Sequence, residues 1–356
     1  MVADIATVRT RFAERAAVLV ETVQLRRRAA AKFADASGWL FTDEALQQAT
    51  AAPVAQHRAR RLAGMAVHDA TCSIGSELAA LRAHASDVVG SDLDPVRLAM
   101  ARHNIGAGVL LCRADALRPV TGDAVVLVDP ARRSGTRRRF DPRAFAPPLD
   151  DLLDALRRRD HVVKCSPGID FAVLADMGFD GEIELVSSAG GVREACLWSR
   201  ALTRRGVRRR ATVLDTGEQV TDTEPDDCGV APPGRWLIDP DGAIVRAGLV
   251  RQYAARHGLW QIDPDIAYLS GDRLPDGVRG FEILEQLPLR ERHLRQTLSA
   301  RGVGALEILV RGVDVDPDAL RAKLRLHGDV HASVVITRLG SGAASRATAF
   351  VCRPSR

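Results

Sequence analysis

HDATCSIGSELAALRAHASDVVGSDLDPVRLAMARHN, His68 to Asn104, is the stretch that sets the fold. An apolar strand ends at Asp69 and runs through a turn of small residues, Cys72-Ser73-Ile74-Gly75-Ser76, into a helix. A second strand, Val88 to Ser91, closes on Asp92. Small residues at a strand-to-helix turn let backbone amides approach an anionic or carboxylate ligand, and an acid about 20 positions on can hydrogen-bond ribose hydroxyls. The unit reads as a site for an adenosine-containing cofactor. Dinucleotide sites need G-x-G-x-x-G for close approach to a pyrophosphate. Here Ser73 and Ser76 stand at glycine positions and only Gly75 remains, which favours S-adenosylmethionine over a nicotinamide dinucleotide. A strand-turn-helix of a parallel sheet without any ligand is the plain alternative.

Two further strands follow the same plan. Val109 to Asp115 reads as a third strand ending on an acid, where an adenine amine could find an acceptor. Ala124-Val-Val-Leu-Val128 is a continuous apolar run closed by Asp129-Pro130-Ala131-Arg132-Arg133. Such a run fits a strand buried on both faces of a parallel sheet, whose carboxyl end is where open α/β sheets place their chemistry. Asp129 is therefore expected in the pocket, the alternative being a turn or capping acid.

The order of DATCSIG, SDLDP with RLAMARHN, ADAL and VDPAR resembles a class I S-adenosylmethionine-dependent methyltransferase of the nucleic-acid-modifying kind. Upstream, Trp39 to Glu44 followed by VAQHRARRL (Val54 to Leu62) is similar to the lead-in of trimethylguanosine synthases. Downstream, Trp236 to Val250 and Ile336 to Gly340 look like bacterial methyltransferases with a THUMP-like C-terminal domain. The resemblance spans nearly the whole chain. It implies Asp69, Cys72 and Gly75 around the methionine moiety, Asp92 on the ribose, Asp115 near the adenine, and Phe41 and Thr42 approaching the cofactor. Trp39 and Phe41 read equally well as core aromatics.

By the same resemblance Asp129 and Pro130 face the methyl acceptor. In base amino-methyltransferases the corresponding motif is Asp/Asn-Pro-Pro-aromatic. This chain departs from it, with Ala131 for the second proline and Arg132 for the aromatic. A guanidinium plane can still stack on a base or hold a phosphate.

Composition adds limits. With 356 residues, 46% of them hydrophobic, the chain can bury more than one core. The cysteines, at 72, 112, 165, 196, 228 and 352, are dispersed without a C-x-x-C pair. That spacing argues against a zinc site and a disulfide framework, and fits a reducing cytoplasm. Ala16 to Val20 is too short and too closely flanked by charge to span a bilayer, and no targeting signal is visible. The net charge of +5 is a mild excess. Lys32, Lys164 and Lys323 are the only lysines, so nearly all positive charge is arginine. Arg132, Arg133, Arg137, Arg138 and Arg139 follow Asp129-Pro130 directly, where the phosphates of a polynucleotide would pass, and are expected to contact RNA. Arg157 to Arg159, and Arg204 with Arg205 and Arg208 to Arg210, read as solvated faces.

The remaining segments complete an α/β chain. Thr7 to Phe33 reads as helical, and Thr42 as the cap of a second helix with an acidic first turn. Val162 to Cys165 reads as a fifth strand with Lys164 at its carboxyl end, a candidate for touching substrate. Glu182 to Ser187 and Glu194 to Trp198, joined through Gly190 and Gly191, should form the antiparallel pair that ends a seven-stranded methyltransferase sheet. Thr216 to Gly234 reads as a linker. Beyond it, a helix near Ile244 to His257, four β-like runs and two further helices suggest a small α+β domain without a catalytic cluster. The expected division is a helical region (1–62), a Rossmann-like methyltransferase domain (63–215) and a recognition domain (234–356). The reading is a cytoplasmic methyltransferase that uses S-adenosylmethionine on a base of structured RNA, without membrane or metal. A non-catalytic RNA-binding protein that keeps the cofactor fold, and a methyltransferase acting on protein or a small molecule, are the alternatives.

Overall fold

A computed structural model gives the structure of the protein and describes residues 2–33, 35–132, 145–340 and 345–355. The chain forms two compact units, Met1–Arg208 and Arg209–Arg356. The first begins with α1 (Val2–Phe12) and α2 (Ala16–Ala29), separated by a 3-10 turn at Ala13, whose φ is 45°. α3 (Asp43–Gln48) starts where the Thr42 hydroxyl accepts the Ala45 N–H, and its acidic first turn complements the helix dipole. α4 (Ala52–Arg61) carries Pro53 in its first turn, where the missing N–H costs nothing.

Strands and helices then alternate: β1 (Ala66–Asp69), α5 (Ser76–Leu81), β2 (Asp87–Asp92), α6 (Pro95–Ile105), β3 (Leu110–Arg113) and β4 (Val125–Val128). A short pair, β5 (Ala131–Arg132) with β6 (Phe145–Ala146), precedes α7 (Leu149–Leu156), β7 (His161–Cys165), α8 (Phe171–Asp176), β8 (Glu182–Ser188) and β9 (Gly191–Trp198). Within this unit the strand order is β8-β9-β7-β4-β1-β2-β3. The strands from β7 to β3 run parallel, and β9 is antiparallel to both its neighbours. The β8–β9 connection is a tight turn with Ala189 and Gly190 at φ 50° and 70°, so the chain can only return antiparallel. Every residue of β4 is buried, as its unbroken apolar run requires. Strand order reverses between β1 and β4, and the carboxyl ends there leave a crevice that the connections cannot fill.

The second unit contains the hairpin β10 (Arg209–Val213) and β11 (Glu218–Thr221), then β12 (Trp236–Ile238), α9 (Gly242–Arg246), α10 (Val250–His257), β13 (Trp260–Gln261) and β14 (Leu269–Gly271). β15 (Gly280–Pro288), α11 (Glu291–Ala300), β16 (Val303–Arg311), α12 (Pro317–Leu324), β17 (Val330–Leu339) and β18 (Arg346–Pro354) complete it. The sheet order is β13-β14-β12-β15-β18-β17-β16, and β16 and β17 are parallel across the α12 crossover. Alternation sorts the sheet's two faces. Val334, Ile336, Ala349 and Val351 pack with Leu294, Leu298, Leu320 and Leu324 of α11 and α12. Val335, Phe350 and Cys352 turn the other way, onto Ile266, Tyr268 and Phe281.

Three expectations are corrected here. The start of the presumed linker is strand β11, where Val220 is fully buried. Arg209 and Arg210 lie on β10, and Arg210 is buried and hydrogen-bonded to Gln219 rather than solvated. The helix foreseen from Ile244 to His257 is two helices, broken where Gly248 takes φ 68°.

Candidate active site

The carboxyl ends of β1, β2, β3, β4 and β7 border a cleft of ≈ 880 Å³, within the range of roughly 300–1,000 Å³ usual for small-molecule sites. Cys72, Asp92, Asp115, Asp129, Pro130 and Lys164 all line it. The turn after β1 uses Ser73 in the left-handed region at φ 48°, a geometry glycine adopts freely and serine at a cost of about 1 kcal/mol. Asp92 compensates: its Oδ2 accepts the Ser73 N–H at 2.9 Å and its Oδ1 the Asp94 N–H at 2.9 Å. The acid that ends β2 thereby fixes the loop that follows β1. Asp115 is exposed just past β3, one oxygen accepting the Leu117 N–H at 3.0 Å.

Asp129 is held twice. Its backbone N–H donates to the Thr71 hydroxyl at 2.7 Å, and its Oδ2 lies 2.5 Å from Lys164 Nζ. Its side chain is 41% exposed, whereas that of Lys164 is 7% exposed. The Lys164 ammonium also donates to the Thr50 hydroxyl and to Glu77 Oε1 at 3.3 Å, so each of its three hydrogens has a partner. Burial works against this charge, but Asp129 and Glu77 more than offset it and its pKa is raised. Glu77 receives both its oxygens' bonds from buried Arg58, at 2.8 Å each, and Arg58 in turn donates to Glu194. Burial opposes the Glu77 charge too, yet Arg58 and Lys164 push its carboxyl down to about 2.

Asp69, Gly75, Phe41 and Thr42 are not on the lining of the cleft. Asp69 is buried, with one oxygen on the Thr71 N–H and Oδ2 without a partner among the described residues. Burial, with Glu77 nearby, pushes its carboxyl up to about 8. Gly75 takes φ 90°, and a Cβ there would meet Ile105 Cγ2 at 3.0 Å, so the helix after it packs closely because this residue has no side chain. Phe41 is buried in a stack with Phe33 and Trp39, and Thr42 caps α3. Arg132 pairs through its backbone with Phe145, while Arg133, Arg137, Arg138 and Arg139 lie outside the described residues. Thr50, Glu77, Phe145 and Glu194 line the cleft without having been singled out. An acid in the first turn of the otherwise apolar α5 was the one available signal, for Glu77.

Curated proteins of Mycobacterium tuberculosis, from strains CDC 1551 and H37Rv, are each described as an uncharacterized S-adenosylmethionine-dependent methyltransferase. Each is 66% identical to this chain, over 98% of it and 100% of the relative. The chain belongs to the S-adenosylmethionine-dependent methyltransferases. Residues 278–354 of this methyltransferase match the family described as THUMP domain-like. A crystal structure assigned to a methyltransferase of Porphyromonas gingivalis W83 shares the fold, with a TM-score of 0.78 and 20% identity over 96% of this chain and 91% of that one.

The side chains present suit the methyltransferase cofactor. S-adenosylmethionine carries a sulfonium, an ammonium, a ribose diol and an adenine amine. The cleft offers acids beyond three strand ends, Asp92, Asp115 and Asp129, with the partnerless buried oxygen of Asp69 behind them. Among the described residues no cluster of His, Cys, Asp or Glu could hold a metal ion, and no helix is long and apolar enough to cross a membrane.

Proposed function

We propose that this enzyme methylates a base in structured RNA, in the cytoplasm. The observation that carries the reading is Asp129, a half-exposed carboxylate in the cleft immediately after the buried strand β4. Its Asp-Pro sequence resembles the acceptor motif of nucleic-acid methyltransferases. The match of residues 278–354 to a THUMP domain-like family and the arginines following Pro130 support a nucleic-acid partner. The division of labour proposed is a helical region at 1–62, a cofactor and chemistry domain at 63–215, and recognition by 234–356.

In this reading Asp92 holds the ribose, Asp115 the adenine, and Asp69, Cys72 and Gly75 frame the methionine end. The cofactor supplies an electrophilic methyl group on a cationic sulfur. Transfer is a direct displacement, so the protein's main task is alignment of the acceptor atom. Asp129 Oδ2 is engaged by Lys164, which leaves Oδ1 to accept a hydrogen bond from the acceptor and to help with its proton. Pro130, buried beside it, fixes the backbone at that point.

Nucleoside mass spectrometry of RNA from a deletion strain tests this. One methylated nucleoside should disappear, and purified enzyme should restore it on that RNA with radiolabelled cofactor. Asp129→Ala should abolish the transfer while cofactor affinity stays within a few-fold. A complete nucleoside inventory, with transfer to protein or small molecules instead, would overturn the RNA assignment.

A further inference from the structure

We infer that Lys164 is a positioning residue for Asp129: its ammonium fixes one carboxylate oxygen so that the other is presented to the methyl acceptor, and it does not touch the acceptor itself. The inference rests on the reading of Asp129 as the acceptor-facing group.

Geometry carries it. An ammonium has three hydrogens, and those of Lys164 are directed to Thr50 Oγ1, Glu77 Oε1 and Asp129 Oδ2. No donor remains for a substrate, and the side chain is buried. The charge is therefore directed inward, at Asp129. Lysine is also the exception in this chain, where all but three of the 50 basic residues are arginine. A compact tetrahedral ammonium can gather three acceptors around one point, whereas the planar fork of a guanidinium spreads its donors along two edges. The position demands the rarer residue.

Lys164 is itself anchored. Glu77 of α5 is gripped at both oxygens by Arg58 of α4, and Arg58 reaches Glu194 of β9. A chain of alternating charges thus runs Glu194, Arg58, Glu77, Lys164, Asp129, from fully buried to half-exposed. A buried ammonium is stable only with such partners. Together with the Thr71 hydroxyl on the Asp129 N–H, it holds that residue at both backbone and side chain. Among the described residues, the other titratable or charged groups bearing on Asp129 or its partner are Lys32, Asp69 of β1, Glu77 of α5, Cys165 of β7, Glu194 of β9 and Arg58 of α4.

The test uses the full-length protein, with the orientation of the Asp129 carboxylate read from crystal structures of wild type and Lys164→Met. In Lys164→Met the Asp129 carboxylate should lose its single orientation while its backbone N–H stays on the Thr71 hydroxyl, and calorimetry should give a Kd for S-adenosylmethionine within about threefold of wild type. On RNA from a deletion strain, kcat should fall at least about tenfold with KM within about threefold. Lys164→Arg should restore little of kcat. Should Lys164→Met not fold, Lys164→Met/Glu77→Gln removes the charge left unpaired and is read the same way. An Asp129 carboxylate that keeps its orientation without the ammonium, or a folded variant that loses cofactor affinity or raises KM alone, overturns the inference. The crystallographic readout needs no acceptor, so failure of the RNA assignment would show as absent transfer by the wild type and leave this result standing.

Discussion

His68 and Asp69 end β1 side by side and titrate in opposite senses. Burial, with Arg159 nearby, pushes the His68 imidazole down to about 4, from its ordinary value of 6.5. The unfolded chain takes a proton there that the native state refuses, so its contribution to stability is lost as pH falls from 6.5 towards 4. Asp69 behaves inversely: its carboxyl, pushed up to about 8, keeps a proton that the unfolded chain releases near 3.8. That contribution is complete below 3.8 and is lost as pH rises to 8. Between pH 4 and 6.5 the two slopes cancel. From 6.5 to 8 Asp69 acts alone, and native stability should decline by up to about 1.4 kcal/mol per pH unit. Urea unfolding of the cofactor-free protein across this range should show the decline, and Asp69→Asn should flatten it. An equal slope in both proteins would mean that the Asp69 carboxyl is ionised when folded. Residues of this kind are legible in sequence only as far as their place on a strand. Asp92 and Asp129 could be named because apolar runs stop at them. The Lys164 contacts could not, because Glu77 lies 87 residues away in sequence and Thr50 lies 114.

At the level of elements, strands with long apolar or alternating patterns were foreseen to within a few residues, from β1 to β4 in the first unit and β15 to β18 in the second. Among the strands not foreseen, most have a pattern too short to repeat. β12, β13 and β14 have two or three residues each, and β10 hides its alternation behind Arg209 and Arg210. Close backbone packing is likewise silent in sequence. Gly304 on β16 sits against the turn before β17, where an added Cβ would lie 1.7 Å from the Gly328 carbonyl oxygen. Gly328 is equally confined, since a Cβ added there would lie 2.1 Å from the Gly302 oxygen. Because the obstruction is backbone on both sides, no rotamer change can relieve it. Gly304→Ala should destabilise the second unit by about 3 kcal/mol, measured by urea unfolding with Trp236 and Trp260 fluorescence. A midpoint unchanged from wild type would show that the β16–β17 register slips at little cost.

Across the whole molecule the question is how a chain with a net charge of only +5 would hold a polyanion. Most arginines with a recorded partner are spent on carboxylates, as in Arg279 with Glu307, Arg301 with Glu285 and Arg311 with Asp239. Average charge therefore says little, and the arginines left over say more. In the second unit Arg290, Arg292 and Arg295 are exposed at and along α11 with no ion pair among the described residues. In the first, Arg132, Arg133 and Arg137 to Arg139 follow the Asp129-Pro130 pair in sequence. Each arginine that contacts an RNA phosphate releases counterion, and contributes about 0.7–0.9 to the slope of log affinity against log salt. Binding of RNA from a deletion strain should weaken steeply from low to physiological salt. Neutralising the Arg132 to Arg139 set should make that slope shallower by about 3.5–4.5 if all five contact phosphate. Arg290, Arg292 and Arg295 changed to glutamine should lower it separately, by about 2–3. Filter binding over a salt series resolves the two. If neither set changes the slope, or the intact protein binds no RNA at low salt, the surplus arginine is only solvating surface. The methyl acceptor must then be sought among proteins or small molecules.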